Sequence, residues 1–106
     1  MRELTKDADK LICCIYKDYL EKRKSGTSKP EARKFDGNFY KDIKILSNCS
    51  STDISDTLQE LHKKEYVKRN VVGGFTLNEE AIIYMENRFK DGLKEVMDFI
   101  SSLPHI

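Results

Sequence analysis

The stretch from Tyr66 to Ala81, YVKRNVVGGFTLNEEA, constrains the fold of this chain more than any other. Tyr66 and Val67 begin a strand-forming run, Gly73-Gly74 supplies a turn, and Phe75 to Leu77 brings the chain back. Aromatic and β-branched residues around a glycine pair predict a two-stranded hairpin. Before it, Ile54, Leu58 and Leu61 recur at helical steps, with Ser51 or Thr52 placed to cap the helix. After it, Asn78 is an N-cap, and Glu79 and Glu80 fall in a first turn, where negative charge is favoured. The chain must therefore hold a short hairpin between two helices.

The remaining segments are helical in pattern. Thr5 caps a first helix with Asp7 and Asp9 in its first turn, and Ala8, Leu11, Ile12, Ile15, Tyr16, Tyr19 and Leu20 mark one face. The basic run Lys22-Arg23-Lys24 ends it, where cations favour the macrodipole, and Gly26 follows. Ser28 opens a second, short helix with Pro30 in its first turn and Glu31 three residues after the cap. Ala32 and Phe35 are its expected buried positions, and Asp36-Gly37-Asn38 ends it. Phe39 to Leu46, FYKDIKIL, fits a helix through Phe39, Ile43 and Leu46 and a strand through Ile43 and Ile45; a short helix is expected. Beyond the hairpin, Ile82, Met85, Phe89, Leu93, Val96, Met97, Ile100 and Leu103 form one long stripe over 78–104, with Gly92 its weak point and Pro104 its stop. This arm is expected to extend beyond the core as a packing or dimerisation element of a single domain spanning 1–106.

Several function classes fit poorly. A formal net charge of +1 makes the chain no polycation, so any contact with nucleic acid needs a local patch. No apolar run is long enough to span a bilayer, and MRELTKDADK lacks the apolar stretch of a secretory signal. Cys13, Cys14 and Cys49 are an odd set without metal-ligand spacing, which suits free thiols in a reducing cytoplasm. His62 and His105 lie far apart and away from any cysteine, so neither metal nor cofactor is expected. With no nucleophile–base pair, phosphate loop or paired carboxylates in the pattern, the chain does not read as an enzyme.

The order of helix, short helix, helix, hairpin and long helix is that of a winged helix-turn-helix, a mainly α (α+β) fold with a two-stranded wing. From Leu58 to Glu86, LQELHKKEYVKRNVVGGFTLNEEAIIYME, the chain resembles MarR-like and PadR-like regulators. Over most of its length it is similar to small winged-helix proteins of Firmicutes such as the YjcQ-like family. Asp36 to Ser51, between the second and third helices, departs from the usual tight turn.

The resemblance implies a DNA-binding transcriptional regulator that acts as a homodimer. In such a fold the third helix enters the major groove. Here that face offers Thr52, Ser55 and Gln59 for hydrogen bonds and Lys63 for phosphate, while Asp53, Asp56 and Glu60 oppose an anionic partner. Lys68 and Arg69 are the only charges between Tyr66 and Leu77, suited to phosphate or to guarding an edge strand. Ser28 and Lys29 would meet the backbone. Phe89, Leu93, Val96, Ile100 and Leu103 are the candidate dimer stripe, and Cys13, Cys14, Tyr16 and Met97 could line an effector pocket. The other reading is a winged-helix protein-interaction module without DNA binding, which the acids and the near-zero net charge favour.

Overall fold

A computed structural model describes residues 2–103. Pro104, expected to stop the last helix, and His105 lie outside the described residues.

The fold is organised around α1 (Lys6–Lys24). Thr5 caps it as expected, its Oγ1 accepting from the Ala8 N–H at 3.3 Å. Every residue from Lys10 to Tyr16 is buried. A helix buried on consecutive positions has no solvent face there, so α1 runs through the core instead of lining it. Lys10 is only 7% exposed, and among the described residues its Nζ has no hydrogen-bond partner.

After α1 the structure departs from the sequence pattern. The second helix, α2 (Lys29–Ala32), is a single turn, and Ser28 holds its N-cap position without a side-chain hydrogen bond. The chain then enters a strand, β1 (Lys34–Phe35), so Phe35 is buried from a sheet and not from a helix. Its ring stacks on Phe75 at 5.0 Å, and the Lys22 ammonium lies 3.7 Å from its centroid. One helical turn has little intrinsic stability, and these contacts override it. Strands β2 (Val67–Arg69) and β3 (Phe75–Leu77) complete a three-stranded antiparallel sheet in the order β1-β3-β2, where two strands were expected. In register, Phe35 faces Phe75 and Lys68 faces Thr76.

The ambiguous stretch is helical, but as two 3₁₀ turns, Phe39–Asp42 and Lys44–Leu46. Ile43 interrupts them with extended backbone (φ −97°, ψ 110°). Phe39 meets Phe75 edge-on at 5.0 Å. The turns stand between β1 and the next helix, so the Asp36–Ser51 interval holds compact structure.

That next helix, α3 (Ser51–Lys63), buries Ile54, Leu58 and Leu61 as expected. Its cap is Ser50, not Ser51 or Thr52; Ser50 Oγ accepts from the Asp53 N–H at 3.1 Å. At the other end Glu65 takes a left-handed conformation (φ 68°). The Tyr66 N–H then reaches Leu61 O at 2.9 Å and the Glu65 N–H reaches His62 O at 3.1 Å. That pair is the Schellman pattern, which turns the chain directly into β2. Glu60 points back to α1: its carboxylate accepts from the Thr5 N–H at 3.0 Å and the Thr5 hydroxyl at 2.7 Å, and it pairs with Lys64 at 3.2 Å.

The hairpin loop is Val71-Val72-Gly73. The Asn70 N–H donates to Gly74 O at 3.1 Å and the Gly73 N–H to Asn70 O at 3.3 Å, the pattern of a three-residue loop closed by a bulge. Gly74 (φ 76°) backs directly onto β1; a Cβ there would stand 2.5 Å from Phe35 O.

The C-terminal arm is helical but is not one rod over 78–104. It divides into α4 (Glu79–Arg88) and α5 (Leu93–Ser101). Gly92 at φ 73°, ψ −134° makes the break, a conformation that glycine alone adopts readily. The bend folds α5 back onto α1. Phe89 and Val96 are buried, and Leu93 and Ile100 pack against the same core. Of the stripe expected to extend beyond the core, Phe89 and Val96 are thus covered within the chain, while Met97 is exposed. At this coarse level the architecture is winged-helix-like: mostly helical, with a small antiparallel sheet before a helical C-terminal arm.

Two outcomes follow from these contacts. Gly74→Ala should lower unfolding free energy by about 2–4 kcal/mol, because β1 must move and the positive φ is strained. Gly73→Ala (φ 93°, open space around the Cβ) should cost about 1 kcal/mol in the same urea titration. For Glu60, burial raises the carboxyl pKa, and the hydrogen bonds from Thr5 and Lys64 outweigh it and hold the group below its ordinary value. A depressed carboxyl contributes stability that is full above its unfolded pKa and is lost as pH falls through the folded one. Glu60→Gln should therefore cost roughly 1 kcal/mol at pH 7. The difference between variant and parent should shrink on acidification below about pH 4.5, followed by urea titration across pH.

Candidate nucleic-acid interface

The outward side of α3 and the strand β2 meet through one side chain. Arg69 turns inward from β2, and its guanidinium donates to Gln59 Oε1 at 3.2 Å, Ser55 Oγ at 3.3 Å and Ser55 O at 3.4 Å. The Arg69 N–H donates to His62 Nδ1 at 3.3 Å. Three residues that the sequence suggests for base or phosphate contact thus form one hydrogen-bonded group. Arg69 is spent as a strut between helix and hairpin. With its Oε1 engaged, Gln59 has its amide Nε2 as its remaining donor group.

Beside this group lies an open groove of about 1020 Å³, lined by Gln59, His62, Lys63, Lys68, Arg33 and the start of α4. Lys63 and Lys68 are exposed, and among the described residues neither has an ion-pair partner. Three carboxylates also line it, Glu79 and Glu80 at the start of α4 and Glu65 at the junction of α3 and β2, and Arg33 pairs with Glu79 at 3.5 Å. The groove is therefore mixed in charge, with Lys63 and Lys68 on α3 and β2, Glu65 between them, and Glu79 and Glu80 at the start of α4.

The other candidates fall in different places. Thr52 is exposed in the first turn of α3, on the same helix as Ser55 and Gln59. Ser28 and Lys29 are exposed on α2 and do not line the groove. Of the three opposing acids, Asp53 and Asp56 stay exposed, while Glu60 is committed to Thr5 and Lys64. Along the suggested dimer stripe, Phe89 stacks with Tyr16 at 6.5 Å and meets Phe99 at a tilt at 5.5 Å, Val96 is fully buried, and Leu103 is half-buried. The suggested effector residues do not come together. Cys13, Cys14 and Tyr16 are packed in the core, where burial pushes each pKa up to about 12, while Met97 is exposed.

Sequence reasoning missed Arg33, whose Nε donates to Leu77 O at 2.7 Å. Asn78 holds the N-cap position of α4 as expected, but its Nδ2 donates to Glu65 O at 2.8 Å and its side chain makes no cap hydrogen bond. Sequence reasoning also passed over Val71 and Val72, the most exposed large apolar residues among the described residues. Their place beside two glycines was the available signal, since valine is unusual in a turn.

Among the described residues no group of three or more His, Cys, Asp and Glu is placed to hold a metal ion, and no helix is long and apolar enough to cross a membrane. Comparison with known proteins adds no family: no family model matches the chain, and no curated protein or solved structure matches it.

The strut can be tested directly. Arg69→Ala should destabilise the fold by about 1–2 kcal/mol, and Arg69→Lys should recover less than half of that, because an ammonium cannot span Ser55 and Gln59 together. A double-mutant cycle with Gln59→Leu, read by urea denaturation, should show coupling of at least about 0.5 kcal/mol.

Proposed function

We propose that this protein is a small duplex-DNA-binding regulator of transcription, working without catalysis in the cytoplasm. α3 would lie in the major groove, with Thr52, Ser55 and Gln59 toward the bases and Lys63 and Lys68 toward phosphate. The likeness to MarR-like and PadR-like regulators in Leu58–Glu86, and over most of the chain's length to YjcQ-like winged-helix proteins, supports this reading. The single observation that carries it is the Arg69 strut, which fixes a polar helix face and a hairpin in one surface, with two exposed lysines beside it that pair with no acid among the described residues. The reading includes a homodimer on a symmetric site, the common arrangement for this fold. Because α1 already covers Phe89 and Val96, a second copy would meet the arm through the exposed Ile83 and Met97. Ser28 and Lys29, which do not line the groove, would be peripheral backbone contacts.

The carboxylates of Glu65, Glu79 and Glu80 along the groove favour a second reading, a protein-interaction module that takes a basic segment into the groove.

Salt dependence separates the two. In fluorescence anisotropy with duplexes selected from a random pool at low salt, the parent should bind with two chains per duplex at saturation. Lys63→Glu combined with Lys68→Glu should weaken binding at least about tenfold and reduce the slope of log K against log salt by about 2. A variant that binds as well as the parent, or a pool that yields no bound duplex, overturns the DNA reading in favour of the interaction module.

A further inference from the structure

One buried side chain is out of balance with its surroundings. Lys10 of α1 is only 7% exposed, and among the described residues its Nζ has no hydrogen-bond partner. A buried polar group without a partner costs free energy, so such a group calls for an occupant or a function. Lys10 also lines a pocket of about 340 Å³ between α1, the second 3₁₀ turn and the start of α3. That volume is in the range of small-molecule sites. The pocket shares no residue with the groove beside Arg69.

The rest of the lining defines what fits. Leu11, Leu46 and Ile54 give it a buried apolar wall. Asp7, Asp53 and Asp56 are exposed on it, and among the described residues none of the three forms an ion pair. Asp7 stands three residues before Lys10 on α1, an ordinary spacing for a helix ion pair, and still the two do not pair. The pocket thus holds charge of both signs that the chain leaves unanswered. An anion alone would answer Lys10 but meet the three acids. A metal ion or a simple amine would answer the acids but leave Lys10 without an acceptor. An occupant that satisfies both carries a carboxylate and cationic groups on a short apolar stem. The acids outnumber the lysine, so its cations should outnumber its carboxylate.

We propose that this pocket binds a basic α-amino acid. Its carboxylate meets Lys10 Nζ, its ammonium groups lie among Asp7, Asp53 and Asp56, and its methylenes cover Leu11, Leu46 and Ile54. Lysine's flexible four-carbon stem lets the amine turn to an entering carboxylate. The site spans α1 and α3 and is independent of the DNA-binding reading.

The test is calorimetric titration of the full chain with three probes: free L-lysine, cadaverine, which lacks the carboxylate, and L-glutamate, which reverses the side-chain charge. The parent should bind L-lysine at least about tenfold more tightly than cadaverine, the difference expected for one charge-assisted hydrogen bond. It should not bind L-glutamate. Lys10→Met exchanges an unpartnered amine for an apolar group of similar shape, so it should keep or raise the thermal midpoint. It should bind L-lysine no more tightly than cadaverine. Asp53→Asn combined with Asp56→Asn should weaken both ligands by about tenfold. No binding of L-lysine at millimolar concentration overturns the proposal. So does a parent that takes cadaverine or L-glutamate as tightly as L-lysine, and so does either variant binding L-lysine as the parent does. Should Lys10→Met fail to fold, the preference of the parent for L-lysine over cadaverine and the aspartate variant decide the question. No groove residue is altered, so failure of the site leaves the DNA reading standing.

Discussion

The burial of α1 on consecutive residues is the constraint from which the rest of the structure follows. A helix with one apolar face needs one neighbour; a helix buried from Lys10 through Tyr16 needs neighbours all round. α3 and α5 pack against it, and α5 can do so only because the chain reverses at Gly92. The reversal is pinned by a two-pronged ion pair between Arg88 and Asp9, and the Arg88 guanidinium also rests 4.9 Å from the rings of both Phe89 and Phe99. The pairing raises the Arg88 pKa further above its ordinary value, so the guanidinium stays charged throughout the accessible pH range. Lys10 is the one discordant element: it is buried on this helix, and among the described residues its Nζ has no hydrogen-bond partner, an arrangement that costs free energy and that the surrounding apolar contacts must outweigh.

How much of this was legible in the sequence depends on the distance over which each feature is decided. Thr5, the Ile54–Leu58–Leu61 stripe and the Gly73-Gly74 turn are local signals, and each marks the element it suggests. β1 is not local. Two residues become a strand because Phe75, far along the chain, offers Phe35 a ring to stack on and Thr76 offers Lys34 a backbone partner. The C-terminal stripe keeps its helical spacing across Gly92, so the pattern alone reads as one rod. The break shows only when α1 is seen to need a second covering helix. Ser50 displaces Ser51 and Thr52 as cap by a single residue, the scale on which helix ends are usually blurred.

The candidate interface shows the same limit in another form. Sequence reveals which side chains carry charge but not where they point. Arg69 reads as a hand extended to phosphate and proves to be a brace to α3. Glu60 reads as an obstacle to an anion and proves to be a fastening for the N-cap of α1. Exchanging these two roles leaves a surface with less positive charge than the sequence promised and fewer acids on the helix itself. Lys63 and Lys68 remain on α3 and β2 with Glu65 between them, and Glu79 and Glu80 stand at the opening of α4.

The Arg69 brace has a consequence for recognition. Because α3 and the hairpin are joined through a guanidinium with three acceptors, the separation between them belongs to the protein and not to whatever it meets. The chain carries a fixed gauge. A partner whose two points of contact match that gauge is met without rearrangement of the protein. One whose points are set differently must deform to fit, and the free energy of that deformation becomes the measure by which partners are told apart.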